Sequence, residues 1–130
     1  MGYKLSQTSF NRLKGINPLL IDIVLKAIET SPLDFGIPLD GGLRTSERQN
    51  ALFKAGKSKL DGYTKKSYHQ SGNAFDIYAF VDGKASWDKQ HLTTIARHIQ
   101  KVAKENFNTN LVWGGDWKGF VDMPHFEIRK

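Results

Sequence analysis

Two short segments hold the residues of this chain that could do chemistry. One is Ser67-Tyr68-His69-Gln70-Ser71-Gly72-Asn73-Ala74-Phe75-Asp76, and the other is Asp122-Met123-Pro124-His125-Phe126-Glu127. They offer two imidazoles and a carboxylate as metal ligands, His69, His125 and Asp76, with a second carboxylate, Asp122, three residues before the last imidazole. Three nitrogen and oxygen ligands with one position left open describe a catalytic zinc site. Zinc lowers the pKa of a water in that position from about 15.7 to around 7, roughly 12 kcal/mol of help toward deprotonation. A carboxylate nearby can take the proton and later pass it to a leaving amine. Asp122 is placed for that role; Glu127 is its rival, or else orients a ligand imidazole from behind. The chain contains no cysteine, which excludes disulfides and thiolate zinc sites.

Taken singly, each histidine is more often a structural or surface residue. His91 and His98 illustrate this. They stand one heptad apart on an expected helix, about 10.5 Å along its axis, too far to share one ion. Both are assigned to the surface or to helix packing.

The elements that must position the candidates can be read from caps and periodicity. A short first helix is expected from about Ser6 to Lys14, stopping at Gly15. Asn17-Pro18 then starts a second helix, with Leu20, Ile21, Val24, Leu25 and Ile28 as its apolar face. Residues 37–43 read as extended. Thr45 or Ser46 caps a helix running to about Ala55, closed by Gly56. Residues 57–69 read as loop. Residues 74–81 read as one strand followed by an Asp82-Gly83 hairpin turn. Ser86 is expected to cap a long helix to about Asn106, with Leu92, Ile95, Ile99 and Val102 on its buried face. Residues 111–113 and 125–128 are the last strands, separated by a Gly- and Trp-rich loop. On the final strand His125 and Glu127 share one face, and Phe126 and Ile128 take the other. Helices and antiparallel strands in this order describe an α+β domain.

A chain of 130 residues is expected to form a single domain. It can bury roughly two-thirds of its unfolded surface without crosslinks. A hydrophobic fraction of 39% excludes disorder. No apolar run reaches the ~20 residues of a membrane span, and the start lacks the apolar core of a secretory signal. The formal charge of +6 draws the protein toward polyanions. The densest basic stretch, Arg44 to Lys66, reads as a solvated face.

The combination Ser67-x-His69-x-x-Gly72-x-Ala74-x-Asp76 with Asp122-x-x-His125 resembles the signature of zinc-dependent D-alanyl-D-alanine carboxypeptidase-like peptidases. More closely it resembles their L-alanyl-D-glutamate peptidase branch, used as bacteriophage endolysins. Gly42-Leu43-Arg44-Thr45 with Gln49 is similar to a further element of that family, as is the loop Trp113-Gly114-Gly115-Asp116-Trp117. The resemblance covers residues 40–128 and implies a small antiparallel sheet flanked by helices, the hedgehog/D,D-peptidase fold. It implies that His69, Asp76 and His125 hold Zn2+ and that Asp122 is the catalytic acid/base, where many carboxypeptidase relatives carry Glu. It implies that Arg44 pairs with a substrate carbonyl or carboxylate and that Ser67 contacts substrate. Trp117 is a candidate wall of the cleft, and Trp113 is either a second wall or core. The expected activity is hydrolysis of the L-alanyl-D-glutamate bond in the peptidoglycan stem peptide. Alternatives are a D,D-carboxypeptidase or D,D-dipeptidase and, in another class, a non-enzymatic polyanion binder. The chain has no internal repeat, low-complexity tract or long linker, so no separate wall-binding module is expected, and a monomer is expected with no nucleic-acid partner and no stable membrane association. The resemblance further implies that it would be made in the host cytoplasm and released to the wall through a separate pore.

Overall fold

Side-chain caps set the helices. The computed structural model describes residues 2–129. Ser6 accepts the Ser9 amide and starts α1 (Gln7–Arg12), and Asn17 accepts the Leu19 amide and starts α2 (Pro18–Thr30) with Pro18 in the first turn. Thr45 accepts the Arg48 amide and starts α3 (Ser46–Lys54). The last helix, α4 (Lys89–Phe107), is capped by Asp88 rather than by Ser86. Ser86 instead ends a strand, and its hydroxyl accepts the Asp88 amide. A cap must stand immediately before the first helical residue, and Trp87 and Asp88 lie between Ser86 and Lys89.

The buried face of α2 is Leu20, Ile23, Val24, Ala27 and Ile28, turned from the expected stripe, so that Ile21 and Leu25 are only half-buried. This face packs against Leu92, Ile95, Ala96, Ile99, Val102 and Ala103 of α4, within one core cluster.

The strands form two three-stranded antiparallel sheets rather than one. The first contains β1 (Asp34–Gly36), β3 (Tyr78–Val81) and β4 (Lys84–Ser86), in the order β1-β3-β4. The second contains β2 (Ala74–Asp76), β5 (Val112–Trp113) and β6 (His125–Glu127), in the order β2-β6-β5. The expected strand over residues 74–81 is therefore two strands in different sheets. They divide at Ile77, whose amide donates to the Pro124 carbonyl while the ring of hydrophobic neighbours buries its side chain. The Asp82-Gly83 hairpin forms as expected, both residues having positive φ.

Residues 37–43 are not a strand. The chain turns at Pro38, whose carbonyl accepts the Gly41 amide, and Asp40 has a left-handed φ of 64°. This turn, beyond any periodicity signal, delivers the Gly42 carbonyl and Arg44 to the functional cleft.

Candidate functional site

The second sheet brings Asp76 and His125 into register as direct partners on β2 and β6. Alternation puts their neighbours Phe75 and Phe126 on the opposite face, stacked with centroids 5.0 Å apart and both fully buried. The aromatic pair thus anchors the sheet to the core from behind while the polar pair faces the cleft. His69 arrives from the turns between α3 and β2. Ser67 Oγ accepts the His69 amide at 3.1 Å, Gln70 Oε1 accepts the Ser67 amide at 2.9 Å, and the His69 carbonyl accepts the Arg44 amide at 3.1 Å.

Both imidazoles are held in defined orientations. His69 Nδ1 donates to the Gly42 carbonyl at 2.8 Å, so its Nε2 presents a lone pair inward. Position 42 must lack a side chain, because a Cβ there would run into the Arg12 carbonyl. His125 Nε2 donates to Glu127 Oε1 at 2.7 Å, leaving its Nδ1 facing His69 and Asp76. Glu127 is in turn fixed by Arg129 Nε at 2.6 Å. Glu127 therefore stands behind His125 as an orienting carboxylate, one of the two roles open to it from sequence.

The three inward atoms, His69 Nε2, His125 Nδ1 and Asp76 Oδ1, lie 3.2 Å from one another on every side. A tetrahedral zinc with bonds of about 2.0–2.1 Å spaces its donors by about 3.3 Å. Two imidazole nitrogens and an anionic oxygen converging at this spacing suit a divalent cation, which would take the place of the proton His125 otherwise shares with Asp76. The donor set and its geometry fit a metal held by His69, Asp76 and His125.

Without a metal the same cluster binds a proton. Burial alone would raise the Asp76 carboxyl, but the rings of His69 and His125 outweigh it and hold Asp76 well below the usual carboxylate range. Burial works against charge on His125, yet its bonds to Asp76 and Glu127 prevail and raise it to about 9. For Glu127 burial is again overcome, by His125 and Arg129, and the carboxyl is lowered. Asp122 moves the other way. Burial raises it, the nearby Asp76 charge adds to the rise, and His125, His69 and Arg44 only partly oppose this.

Asp122 lines the same cleft of about 410 Å³ as the three ligand candidates. Its backbone is pinned to the Gly-rich loop by its amide donating to the Gly114 carbonyl at 3.0 Å. Gly114 permits that approach, since a Cβ there would strike the Asp122 carbonyl. Arg44 also lines the cleft. Its Nε donates to the Asp40 carbonyl at 2.8 Å, Nη1 to Gln49 at 3.0 Å and Nη2 to Asp76 at 3.2 Å. Three of its five N–H groups are thus engaged within the protein. Ser67 and Trp117 are at the cleft as well. The Trp117 ring lies 5.3 Å from that of His125, with the Arg129 guanidinium 5.8 Å from the indole. Trp113 belongs to the core: it is buried, its Nε1 donates to the Met123 carbonyl at 2.6 Å, and Arg97 covers its ring.

His91 bonds to Ser86, and His98 bonds to Thr30 and Ala27 across the helix pair, both away from the cleft. Sequence reasoning missed the Gly42 carbonyl, the Asp40 backbone and the cleft positions of Phe120, Lys57 and Lys59. A backbone carbonyl carries no residue-type signal. The two lysines were visible only as part of a charge run.

These features define an α+β domain with a cleft whose His-Asp-His donor set could hold a metal ion beside a partly desolvated carboxylate. The model of the phage L-alanyl-D-glutamate peptidase family matches residues 1–129, and the chain belongs to that family. It is 30% identical over its whole length to the L-alanyl-D-glutamate peptidase of Escherichia phage T5, covering 92% of that protein. It is 33% identical over 98 residues to the peptidoglycan L-alanyl-D-glutamate endopeptidase CwlK of Bacillus subtilis, covering 67% of this chain and 57% of CwlK. Among solved structures, the Serratia marcescens L-Ala D-Glu endopeptidase ChiX superposes with a TM-score of 0.85 at 30% identity, covering 98% of this chain and 91% of ChiX. The LD-carboxypeptidase LdcB shares the fold, with a TM-score of 0.57 at 19% identity over 93% of this chain and 69% of LdcB.

Proposed function

We propose that this protein is a zinc-dependent endopeptidase that hydrolyses the L-alanyl-D-glutamate bond of the peptidoglycan stem peptide. The observation that carries the reading is the triangle of His69, Asp76 and His125 donors in one cleft with Asp122. Family membership and the named activities of the phage T5 protein and ChiX support the choice of bond.

His69, Asp76 and His125 hold the metal. When bound, zinc supplies Lewis acidity toward a carbonyl and a nucleophile at neutral pH. Gly42 and Glu127 keep the two imidazole tautomers fixed, so each ring offers its lone pair without reorienting. Asp122 takes the proton of the attacking water and returns it to the departing amine of D-glutamate. Its raised pKa makes it a better base than a solvated aspartate. The two Arg44 N–H groups not used in its internal bonds serve the developing negative charge on the scissile carbonyl oxygen. Ser67 and Trp117 contact the peptide from the cleft wall.

The test is mass spectrometry of purified peptidoglycan after digestion, with and without a chelator. The expected product is a peptide with a new N-terminal D-glutamate, formed only without chelator. Released D-alanine with no such end would identify a D,D-carboxypeptidase instead. Wall binding without any cleavage, and no bound metal, would identify a polyanion binder.

A further inference from the structure

The cations around the cleft divide into two kinds. The arginines are bound internally: Arg44 to Asp76 at 3.2 Å, Arg48 to Asp40 at 2.6 Å and Arg129 to Glu127 at 2.6 Å. Lys57 and Lys59 line the same cleft, are exposed, and have no carboxylate in ion-pair range among the described residues. They belong to a segment, residues 54–66, with five lysines against one aspartate, a net +4 of the chain's +6. The positive charge of the molecule is thus concentrated in the loop that walls the site. Lys59 Nζ also sits 5.3 Å from the Phe120 ring centroid, joining this loop to the one that carries Trp117 and Asp122.

We infer that Lys57 and Lys59 form a carboxylate-binding subsite that selects the residue following the scissile bond. This rests on the endopeptidase reading. D-Glutamate at that position has two carboxyl groups, and only one can continue the peptide. The other is a free carboxylate a few bonds from the scissile nitrogen. Three N–H groups of Arg44 are bound within the protein and the other two serve the scissile oxygen, which leaves the lysine pair as the partner for that anion. An exposed lysine–carboxylate contact is worth up to about fivefold in affinity and is weakened by salt.

The test uses two synthetic peptides. One contains L-Ala-D-Glu, and in the other the carboxyl outside the chain is an amide. The intact enzyme is expected to show a KM about fivefold lower for the acid, with the preference fading in high salt. The double variant Lys57→Gln/Lys59→Gln is expected to lose the preference. Lys104→Gln, on the last turn of α4, is expected to retain it. Equal KM values for acid and amide in the unaltered enzyme, or a preference surviving in the double variant, would overturn the subsite while leaving the endopeptidase reading intact. Cleavage of neither peptide would overturn both.

Discussion

Asp76 and His125 are directly opposed residues of the β2–β6 pair, with Asp76 Oδ1 3.2 Å from His125 Nδ1. Two metal-ligand candidates are thereby fixed by backbone hydrogen bonding rather than by loop conformation. Only His69 depends on a turn, and that turn is tied to Arg44 and Gly42. The geometry of the site is inherited from the sheet register.

Removing the carboxylate of Asp122 tests its role without disturbing the donors. Asp122→Asn is expected to retain near-unit zinc and the native fold while losing about 10²–10⁴ in kcat. Metal analysis alongside stem-peptide turnover measures both. Undiminished turnover would move the base elsewhere.

The histidines should separate cleanly. His69→Ala is expected to lose zinc and activity together. His98→Ala is expected to keep both while losing about 0.5–1.5 kcal/mol of stability, because its ring bonds Thr30 and Ala27 between α2 and α4. Equal loss of metal in both variants would undo the ligand assignment. Metal titration and urea unfolding of each variant distinguish these outcomes.

Glu127→Gln removes the charge behind His125 but preserves shape. Orienting carboxylates of this kind are worth about 10–100-fold in metal affinity, and that loss is expected here. The readout is the zinc dissociation constant by competition with a chromogenic chelator. An unchanged constant would mean that Glu127 serves only Arg129.

The pH dependence follows from His125. Burial opposes its charge, but Asp76 and Glu127 raise its pKa to about 9, above the ordinary value of 6.5. In metal-stripped protein the proton on His125 therefore stabilises the fold fully below about 6.5, and this contribution is lost as pH rises through about 9. Zinc must displace that proton, so its affinity is expected to rise over the same window. Urea midpoints of chelated protein and zinc affinities, each measured between pH 6 and 9.5, should move in opposite directions. Parallel movement, or none, would contradict this assignment.

Phe126 tests the scaffold. It is fully buried against Phe75 on the face behind His125. Phe126→Ala is expected to cost about 3–5 kcal/mol by leaving a cavity, and to weaken zinc binding because the strand that carries His125 loosens. Thermal unfolding with and without zinc reports both effects.

Much of this was legible in one dimension. Asn17-Pro18, Thr45 and Asp82-Gly83 carry their structural meaning in local backbone chemistry, and the elements they start or turn formed as expected. The alternation His125-Phe126-Glu127 likewise assigns Phe126 to the core and His125 and Glu127 to the cleft. The division of residues 74–81 at Ile77 was not legible, since the local pattern is continuous and only the pairing of β2 with β6 and β3 with β1 separates them. The cap at Asp88 was missed because Ser86 and Asp88, two positions apart, both suit the start of a helix.

The sequence by itself determined the donor types, the absence of thiolates, the carboxylate beside the last imidazole and the family resemblance, because side-chain chemistry is a property of residue identity. Tertiary structure alone decided what each group faces. It set the 3.2 Å donor triangle, gave Glu127 to His125, bound Arg44 to Asp76, and placed Lys57 and Lys59 at the cleft. Those relationships depend on distances between residues far apart in the chain, which only sheet register and core packing fix.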